Sequence, residues 1–252
     1  MSVRLPSGDA YAPQVEREQR WLPHLASRLS QPVPAPLALG EPGCGYPWKW
    51  SVYRWLEGDT ALPERIWNSR LFARDLAAFL CSLHAVSSEG GPAPGPDNFY
   101  RGGSLAVYDS ETRSAIDILA SRINAEALAA AWETALASRW TQEPVWVHGD
   151  MSAGNLLVRD GRLCGVIDFG QFCVGDPACD LVPAWSLLDT ESREVFRAGV
   201  CVDEATWARG RGWALWKALI VAAELTTTNA WEGAQCWNTI ESALADHAGT
   251  EP

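Results

Sequence analysis

The sequence lacks the marks of membrane, secreted and repeat proteins. None of its apolar runs reaches the roughly 18 residues that a membrane-spanning helix requires. The first residues, MSVRLPSGDAYAPQ, contain no apolar stretch of the kind found in secretory signals. There are no internal repeats and no low-complexity tails. The sequence therefore predicts a globular protein without a membrane partner.

Cysteines with metal-ligand or redox spacing are also absent. The chain has seven cysteines, an odd number with no paired metal spacing. Cys173 and Cys179 lie six residues apart, unlike the ligands of a zinc knuckle. We interpret the cysteines as reduced and mostly buried, which predicts a cytoplasmic protein.

Positive charge is in short supply. The chain has 20 Lys and Arg against 31 Asp and Glu, a formal net charge of −11. Residues 1–58 carry a net charge of +1, and residues 59–252 carry −12. Such an acidic region repels nucleic acid and attracts cationic partners. The alternative interpretation is ordinary solubility charge on an acidic protein.

Apolar residues, by contrast, are plentiful. Hydrophobic residues make up 47% of the chain, and 14 residues are tryptophan, so a substantial core is expected. A length of 252 residues suits one large or two small domains.

One segment carries an ordered set of chemically active side chains. Val145–Val147 is a short strand-like run that leads into His148-Gly149-Asp150, and Asn155 follows Asp150 by five residues. Asp168 then opens Asp168-Phe169-Gly170. The order H-x-D-x-x-x-x-N followed by D-F-G is the kinase catalytic signature. It predicts Asp150 as the base that accepts a hydroxyl proton, and Asn155 with Asp168 as Mg²⁺ ligands.

The residues between these groups predict a hairpin. Apolar runs at 156–158 and 164–167 flank Asp160-Gly161, a good hairpin-turn signal. The hairpin would bring Asn155, before its first strand, close to Asp168, after its second. Simpler interpretations remain: Asp150-Met151-Ser152 as a cap or turn, and Asp160-Gly161 as a turn without further role.

The segment HGDMSAGNLLV followed by VIDFGQFCVGDPACDL resembles the aminoglycoside phosphotransferase family, and further matching segments extend the resemblance over roughly residues 2–245. The resemblance implies a nucleotide-dependent small-molecule kinase that uses ATP or GTP with Mg²⁺. Choline kinases, homoserine kinases and macrolide phosphotransferases share the same core, so acceptors of those classes stay open beside an aminoglycoside-like cation.

The kinase-like fold that the resemblance implies assigns further roles. Arg4 stands where that fold places a basic residue for the nucleotide phosphates, and Glu18 stands where a helix carboxylate pairs with it. The alternative for Glu18 is a solvated helix face. Residues 53–56 would form the hinge that faces adenine, with Tyr53 and Trp55 as nucleotide-binding residues.

The predicted fold is α+β with two kinase-like lobes. A small nucleotide-binding lobe, residues 1–57, would hold an antiparallel sheet and one helix. A larger catalytic and substrate-binding lobe, residues 58–252, would be mainly helical and include the catalytic hairpin, with His148 and Asp180 bracing the catalytic loop. The predicted helices of the chain span 14–29, 63–85, 124–138, 183–199, 203–226 and 231–247. A long loop, 87–103, contains Asn98-Phe99-Tyr100-Arg101 and is of a length often functional.

The N-terminal region sets a second expectation. Three residues precede Arg4, and no segment matches G-x-G-x-x-G, the loop that covers nucleotide phosphates in kinases. We therefore expect a truncated or shortened relative that binds nucleotide weakly and transfers little phosphate. A non-catalytic pseudo-enzyme or binding module is the alternative to an enzyme.

The acceptor is expected to be a small, cationic molecule with a free hydroxyl, because the acidic region would attract it. The sequence leaves the oligomeric state open. The carboxylates expected to attract the acceptor near the C-terminal helices are Glu191, Glu194, Asp203, Glu204, Glu224, Glu232 and Glu241.

Overall fold

A computed structural model describes residues 1–250, so the last two residues of the predicted second lobe lie outside the described residues. The smaller lobe contains a three-stranded antiparallel sheet and one helix, as predicted. Its elements are β1 (Ser2–Arg4), α1 (Ala12–Ala26), β2 (Pro36–Gly40) and β3 (Trp50–Tyr53), with strand order β1-β3-β2.

Helix α1 packs beside this sheet through residues at helical spacing. Val15, Leu22 and Leu25 are buried on one face of the helix. Glu18 is buried on the same helix, although carboxylates seldom are. It lies beside Arg4 at the end of β1 and Tyr53 at the end of β3. The sheet register sets Arg4 opposite Ser51, so the cation of β1 lies near the middle of β3.

The larger lobe is mainly helical. Side-chain caps begin several of its helices; Asn68 accepts a hydrogen bond from Leu71 N at 3.0 Å, and Asp203 accepts one from Thr206 N at 2.7 Å. Its helices are α2 (Ser69–His84), α3 (Asp109–Leu119), α4 (Ala125–Leu136), α5 (Pro183–Ser186), α6 (Thr190–Val200), α7 (Glu204–Ala222) and α8 (Ala230–Thr250).

Helix α7 lies at the centre of this lobe and is buried along nearly its whole length. It packs against α4, α8 and the turn at 177–181. Trp207 and Trp213 lie on α7 itself and Trp132 lies on α4, and all three are fully buried, so part of the tryptophan-rich composition is used in this core.

Short strands carry the catalytic segment. Strands β4 (Asp59–Thr60), β6 (Leu156–Arg159) and β7 (Arg162–Val166) form one antiparallel sheet, and β5 (Val145–Val147) pairs with β8 (Cys173–Gly175). The hairpin predicted at Asp160-Gly161 is present. Both turn residues have left-handed backbone angles, φ 51° and 73°, as the tight turn between twisted strands requires.

The structure refines several predicted boundaries. Strand β3 ends at Tyr53, so three of the four residues of the predicted hinge 53–56 follow the strand. The helix predicted at 183–199 is two helices, because Asp189 caps a new helix by accepting a hydrogen bond from Ser192 N at 2.8 Å. Helix α3 and strand β8 were not predicted. The division of the chain after residue 57 stays a prediction. Within residues 1–250, no helix is both long and apolar enough to cross a bilayer.

Candidate active site

Two open clefts meet at Asp150, which lines both of them. The polar cleft, of about 730 Å³, lies between the two lobes. The apolar cleft, of about 710 Å³, lies between the Asp150 loop and helices α7 and α8. Residues of the polar cleft include Arg4, Gln14, Glu18, Tyr53, Asp168 and Gln171. Residues of the apolar cleft include Met151, Val182, Trp213, Lys217, Val221 and Cys236.

The Asp150 loop begins with a backbone turn that requires glycine. Gly149 has φ 84°, and a Cβ atom there would lie 2.6 Å from the carbonyl oxygen of Gln171. Asn155 then fixes the next residue, because its Nδ2 donates to the carbonyl oxygen of Asp150 at 2.9 Å and to its Oδ2 at 3.2 Å. Asp150 itself is half-buried and open to both clefts.

Asp180 lies beneath this loop and accepts two backbone hydrogen bonds. The N–H groups of His148 and Gly149 donate to its two carboxylate oxygens, each at 2.7 Å. Complete burial raises the pKa of Asp180, while the backbone N–H groups of His148 and Gly149 oppose that rise. The paired contacts connect Asp180 to the loop from below, and its role as a bracing residue stays a prediction.

His148 has a defined role in the same loop. Its Nε2 lies 3.0 Å from the carbonyl oxygen of Ile167, and its Nδ1 accepts a hydrogen bond from Asp150 N at 3.2 Å. These two contacts together require the neutral tautomer with the proton on Nε2. His148 therefore ties the Asp150 loop to the residue that precedes Asp168.

Arg4, Glu18 and Asp168 form one charged cluster across the polar cleft. Arg4 Nη2 lies 2.7 Å from Asp168 Oδ1, and Arg4 Nη1 lies 3.8 Å from Glu18 Oε1. The side chains of Arg4 and Asp168 are 43% and 42% exposed, whereas that of Glu18 is 6% exposed. The structure therefore brings together three of the predicted site residues from three separate elements.

The buried member of the cluster is held in two ways. Burial raises the pKa of Glu18, and the Arg4 guanidinium opposes that rise. The hydroxyl of Tyr53 donates a short hydrogen bond to Glu18 Oε2. Burial, together with the negative charge of Glu18, raises the pKa of Tyr53, so this residue stays a neutral donor.

Asn155 precedes the first strand of the hairpin and Asp168 follows its second strand, so both lie at the open end of the hairpin. The backbone carbonyl of Asn155 accepts a hydrogen bond from Ile167 N at 2.8 Å, which places Asn155 beside the residue before Asp168. Asp168 has a left-handed backbone with φ 64°, an uncommon conformation for a residue other than glycine. The Nδ2 group of Asn155 is occupied by Asp150, and within residues 1–250 its Oδ1 receives no hydrogen bond.

Tyr53, the last residue of β3, and Trp55, which follows the strand, are the two predicted nucleotide-binding residues of this region, and they differ in exposure. Tyr53 is buried and lines the polar cleft through its contact with Glu18. Trp55 is 56% exposed, and the described residues that line the two clefts do not include it. The backbone N–H of Arg54 donates to Ala35 O at 2.9 Å. The predicted hinge role of residues 53–56 stays a prediction.

Three cationic residues at the site were not assigned from sequence. Arg17, on α1, donates to the carbonyl oxygen of Gly170 at 2.7 Å and so ties α1 to the Asp168 loop. Arg101 and Lys217 line the apolar cleft. The only sequence signals were indirect: Arg101 falls in the long loop 87–103, and Lys217 interrupts an otherwise apolar helical stretch.

Known phosphotransferases are similar in sequence to this chain. A model of the phosphotransferase enzyme family, APH, matches residues 1–213. An aminoglycoside 3'-phosphotransferase from Escherichia coli is 40% identical over 47 residues, which are 19% of this chain and 17% of that relative.

Solved structures show the same kinase-like fold. A GDP and kanamycin complex of APH(2")-IIia superimposes with a TM-score of 0.66 at 18% identity, covering 99% of this chain and 87% of the other. The apoenzyme of macrolide 2'-phosphotransferase MphH from Brachybacterium faecium has a TM-score of 0.59 at 21% identity, covering 99% and 84%. These likenesses establish the predicted two-lobe α+β fold. Because the family model spans most of its 252 residues, the chain belongs to the phosphotransferase enzyme family.

Proposed function

We propose that this protein transfers the γ-phosphoryl group of ATP or GTP to a hydroxyl of a small molecule. The observation that carries the proposal is the position of Asp150 at the junction of a polar cleft and an apolar cleft. A transferase needs donor and acceptor sites that meet at the reacting atoms, because proximity and alignment supply a large part of the rate.

The polar cleft suits the nucleotide. Arg4 presents a guanidinium, which is always charged and binds phosphate oxygens in a bidentate way. Glu18 holds Arg4 from below, and Tyr53 holds Glu18 in turn. Named relatives include complexes with GDP, ADP and ATP, which supports a nucleotide donor of either base. We propose Tyr53 and Trp55 for the adenine or guanine side of this site.

The residues at the hairpin ends fit a Mg²⁺ ion. Mg²⁺ prefers hard oxygen ligands and is usually held by one or two protein groups together with phosphates. The exposed carboxylate of Asp168 and the Oδ1 of Asn155 provide such oxygens, since Asp150 occupies the amide nitrogen of Asn155. When bound, the ion would neutralise phosphate charge and align the nucleotide.

Asp150 is proposed as the base. Its carboxylate accepts the proton of the acceptor hydroxyl as the hydroxyl oxygen forms a bond to the γ-phosphorus. The bond from that phosphorus to the bridging oxygen breaks, and the nucleoside diphosphate leaves with the bonding electrons. Asn155 orients the carboxylate through its 3.2 Å contact, while His148 and Asp180 position the loop.

The acceptor class has two sources of support. The acidic composition predicts an aminoglycoside-like cation, and several relatives are named for aminoglycosides. Other relatives are named for macrolides, which share hydroxyls but have large apolar surfaces. The side chains that line the apolar cleft bear directly on this choice. All seven cysteines are free, and three of them are buried, so the expectation that most are buried was wrong. Free thiols support the proposed cytoplasmic location.

The proposal is tested by mass spectrometry of acceptors incubated with the protein, Mg²⁺ and either ATP or GTP. The panel contains aminoglycosides, macrolides, choline and homoserine. We expect one added phosphoryl group on a hydroxyl, loss of the product when EDTA is present, and recovery when Mg²⁺ is restored. Transfer that persists in EDTA contradicts the metal assignment.

A second measurement, together with the mass-spectrometric assay, tests the expectation of weak nucleotide binding and weak transfer. Nucleotide affinity measured by calorimetry on this chain shows whether binding is weak, as expected from the missing glycine-rich motif. A chain that binds nucleotide but modifies no acceptor in a broad panel would favour the non-catalytic module instead.

A further inference from the structure

The apolar cleft contains two cations that form no ion pair with the described residues 1–250. Arg101 and Lys217 line it together with Asp150 and Glu232. Arg101 and Lys217 are both half-buried, and neither forms an ion pair with any residue in the described range 1–250. Half-buried cations without a counter-charge are costly, so their presence at a binding site indicates a ligand that supplies one.

Arg101 is held in place so that its terminal groups stay available. Its Nε donates to the side chain of Gln171 at 3.0 Å, and its guanidinium lies over the rings of Trp216 and Trp213, at 4.6 Å and 5.1 Å from their centres. Across the described part of the chain, its two terminal nitrogens donate no hydrogen bond. A guanidinium fixed on aromatic rings with its fork free is suited to a planar anion.

Lys217 is the second cation and one of only two lysines in the chain; the other is Lys49. It lies on α7, where most neighbouring positions are buried. Residues 1–250 offer its ammonium group neither a hydrogen-bond acceptor nor a carboxylate within ion-pair distance. Lys49, in contrast, pairs with Glu16 at 2.5 Å on the surface. Lys217 lines the cleft without an ion pair to any described residue and Lys49 is paired on the surface, so Lys49 provides a matched control for substitutions of Lys217.

The carboxylates predicted to attract a cation lie mostly elsewhere. Of that set, Glu232 is the member that lines the apolar cleft, and it accepts a hydrogen bond from the hydroxyl of Thr228. Glu191 pairs with Arg70 at 3.6 Å, and Glu204 pairs with Arg197. Near the reacting end, two cations therefore face two carboxylates, one of which is the proposed base. A polycation would meet like charge there.

We infer that the acceptor has a mainly apolar body and an anionic group, such as a carboxylate, that pairs with Arg101 and Lys217 while its hydroxyl reaches Asp150. The inference rests on the proposed function and narrows its acceptor class. Apolar walls accept the body of such a molecule, and the cations fix its orientation. A polycationic aminoglycoside is disfavoured by the same two residues.

The test compares hydroxylated carboxylic acids with their methyl esters. The probes run from hydroxy fatty acids to bile acids such as cholate, and kanamycin and a macrolide serve as cationic comparators. Binding is measured by calorimetry without nucleotide. We expect at least one acid to bind about tenfold more tightly than its ester, the factor for loss of one charged hydrogen bond.

Variants of the two lysines locate the effect. Lys217→Gln should remove the preference for acid over ester, Lys217→Arg should keep it, and Lys217→Glu should reverse it. Lys49→Gln is the matched control and should leave the preference unchanged. Thermal unfolding verifies that each variant is folded. Retention of the preference in Lys217→Gln overturns the inference.

Other results also overturn it. These are equal binding of acids and esters, failure of every acid to bind, and tighter binding of kanamycin or the macrolide than of any acid. Turnover of the bound acceptors then separates this inference from the proposed function. An acid preference without phosphorylation supports the anion site and refutes the transferase. If Lys217→Gln lowers turnover on acids and esters alike and leaves their binding unchanged, Lys217 acts on the transferred phosphoryl group, and the acceptor inference fails.

Discussion

Two pairs of aspartates in the segment 150–180 have opposite surroundings. Asp150 and Asp168 face the clefts, and the Asp168 side chain is 42% exposed and pairs with a similarly exposed Arg4. Asp176 and Asp180 are buried; Asp176 pairs with Arg209 Nε at 2.7 Å, and the two side chains are 7% and 5% exposed. Within the segment 150–180, aspartates thus occur both in an exposed cleft and in the buried interior.

The difference separates activity from stability. An exposed ion pair contributes little to the folded state, since water screens it and can replace either partner. Arg4 and Asp168 can therefore exchange partners with phosphate and a cation at small cost. A buried ion pair is different, because removing one partner leaves an uncompensated charge in the interior. We accordingly expect the cleft aspartates to govern turnover and the buried aspartates to govern folding.

The largest expected effect is on turnover. Asp150→Asn removes the proposed proton acceptor but keeps the shape and the hydrogen bond from Asn155. Turnover on a verified acceptor should fall by about 10²–10⁴, the usual contribution of a general base. Calorimetry and thermal unfolding should show unchanged nucleotide affinity and midpoint. A variant that retains full turnover would refute the assignment of Asp150.

The next effect is on stability. Asp176→Ala leaves the Arg209 guanidinium buried without its carboxylate, and the free energy of unfolding should fall by about 3–5 kcal/mol. Asp160→Asn is the matched control, because Asp160 lies in the exposed hairpin turn and Asn tolerates its left-handed backbone. Chemical denaturation measures both variants. Similar stability of the two would abolish the distinction drawn above.

The half-buried His84 extends the comparison to pH. Burial lowers the pKa of His84 from 6.5 to about 4. The unfolded chain therefore binds this proton more readily, so the stability contributed by neutral His84 is complete above pH 6.5 and is lost as pH falls towards 4. At roughly 1.4 kcal/mol per pH unit, the loss is at most about 3 kcal/mol.

His84→Gln removes this titration. The unfolding free energy of wild type minus that of the variant should fall by up to about 3 kcal/mol between pH 7 and pH 4, because only the wild type loses stability as His84 titrates. Parallel curves for the two proteins would show that His84 is not held neutral by the fold.

The smallest change in stability is expected at the cleft. Arg4→Gln breaks the exposed pair with Asp168 and also removes the 3.8 Å contact to the buried Glu18, which keeps its hydrogen bond from Tyr53 and can take up a proton. The free energy of unfolding should therefore change by less than about 1 kcal/mol. Nucleotide affinity should fall by about tenfold, as for loss of a charged hydrogen bond to phosphate. Arg28→Gln provides a control, because Arg28 is an exposed arginine that donates to the carbonyl of His24 at the end of α1. A large loss of stability in Arg4→Gln would show that the Arg4–Asp168 pair behaves like the buried Asp176–Arg209 pair.

Local sequence patterns were sufficient for the catalytic segment. Its strands, its Asp160-Gly161 turn and the order of Asp150, Asn155 and Asp168 lie close together in the chain, so their spacing already constrains their geometry. Helices with a regular apolar face, such as α2 and α8, were also predictable because burial follows the helical period.

Other features depend on residues that are far apart in the chain. Asp176 and Arg209 pair over 33 positions, and Arg101 and Lys217 reach the same cleft from a loop and from α7. Strand β8 is three residues long, and its pairing with β5 arises because the Asp168 loop returns along that edge.

The sequence by itself determined the family, the phosphoryl-transfer motif and the elements that carry it, because each is written in neighbouring residues. Only the tertiary structure decided which carboxylates are buried, which are exposed, and which cations line the apolar cleft. Burial and pairing depend on the whole packed chain. An aspartate is therefore suited to act as a base, as the proposed Asp150, as a structural counter-ion, as Asp176, or as a turn residue, as Asp160, according to what surrounds it.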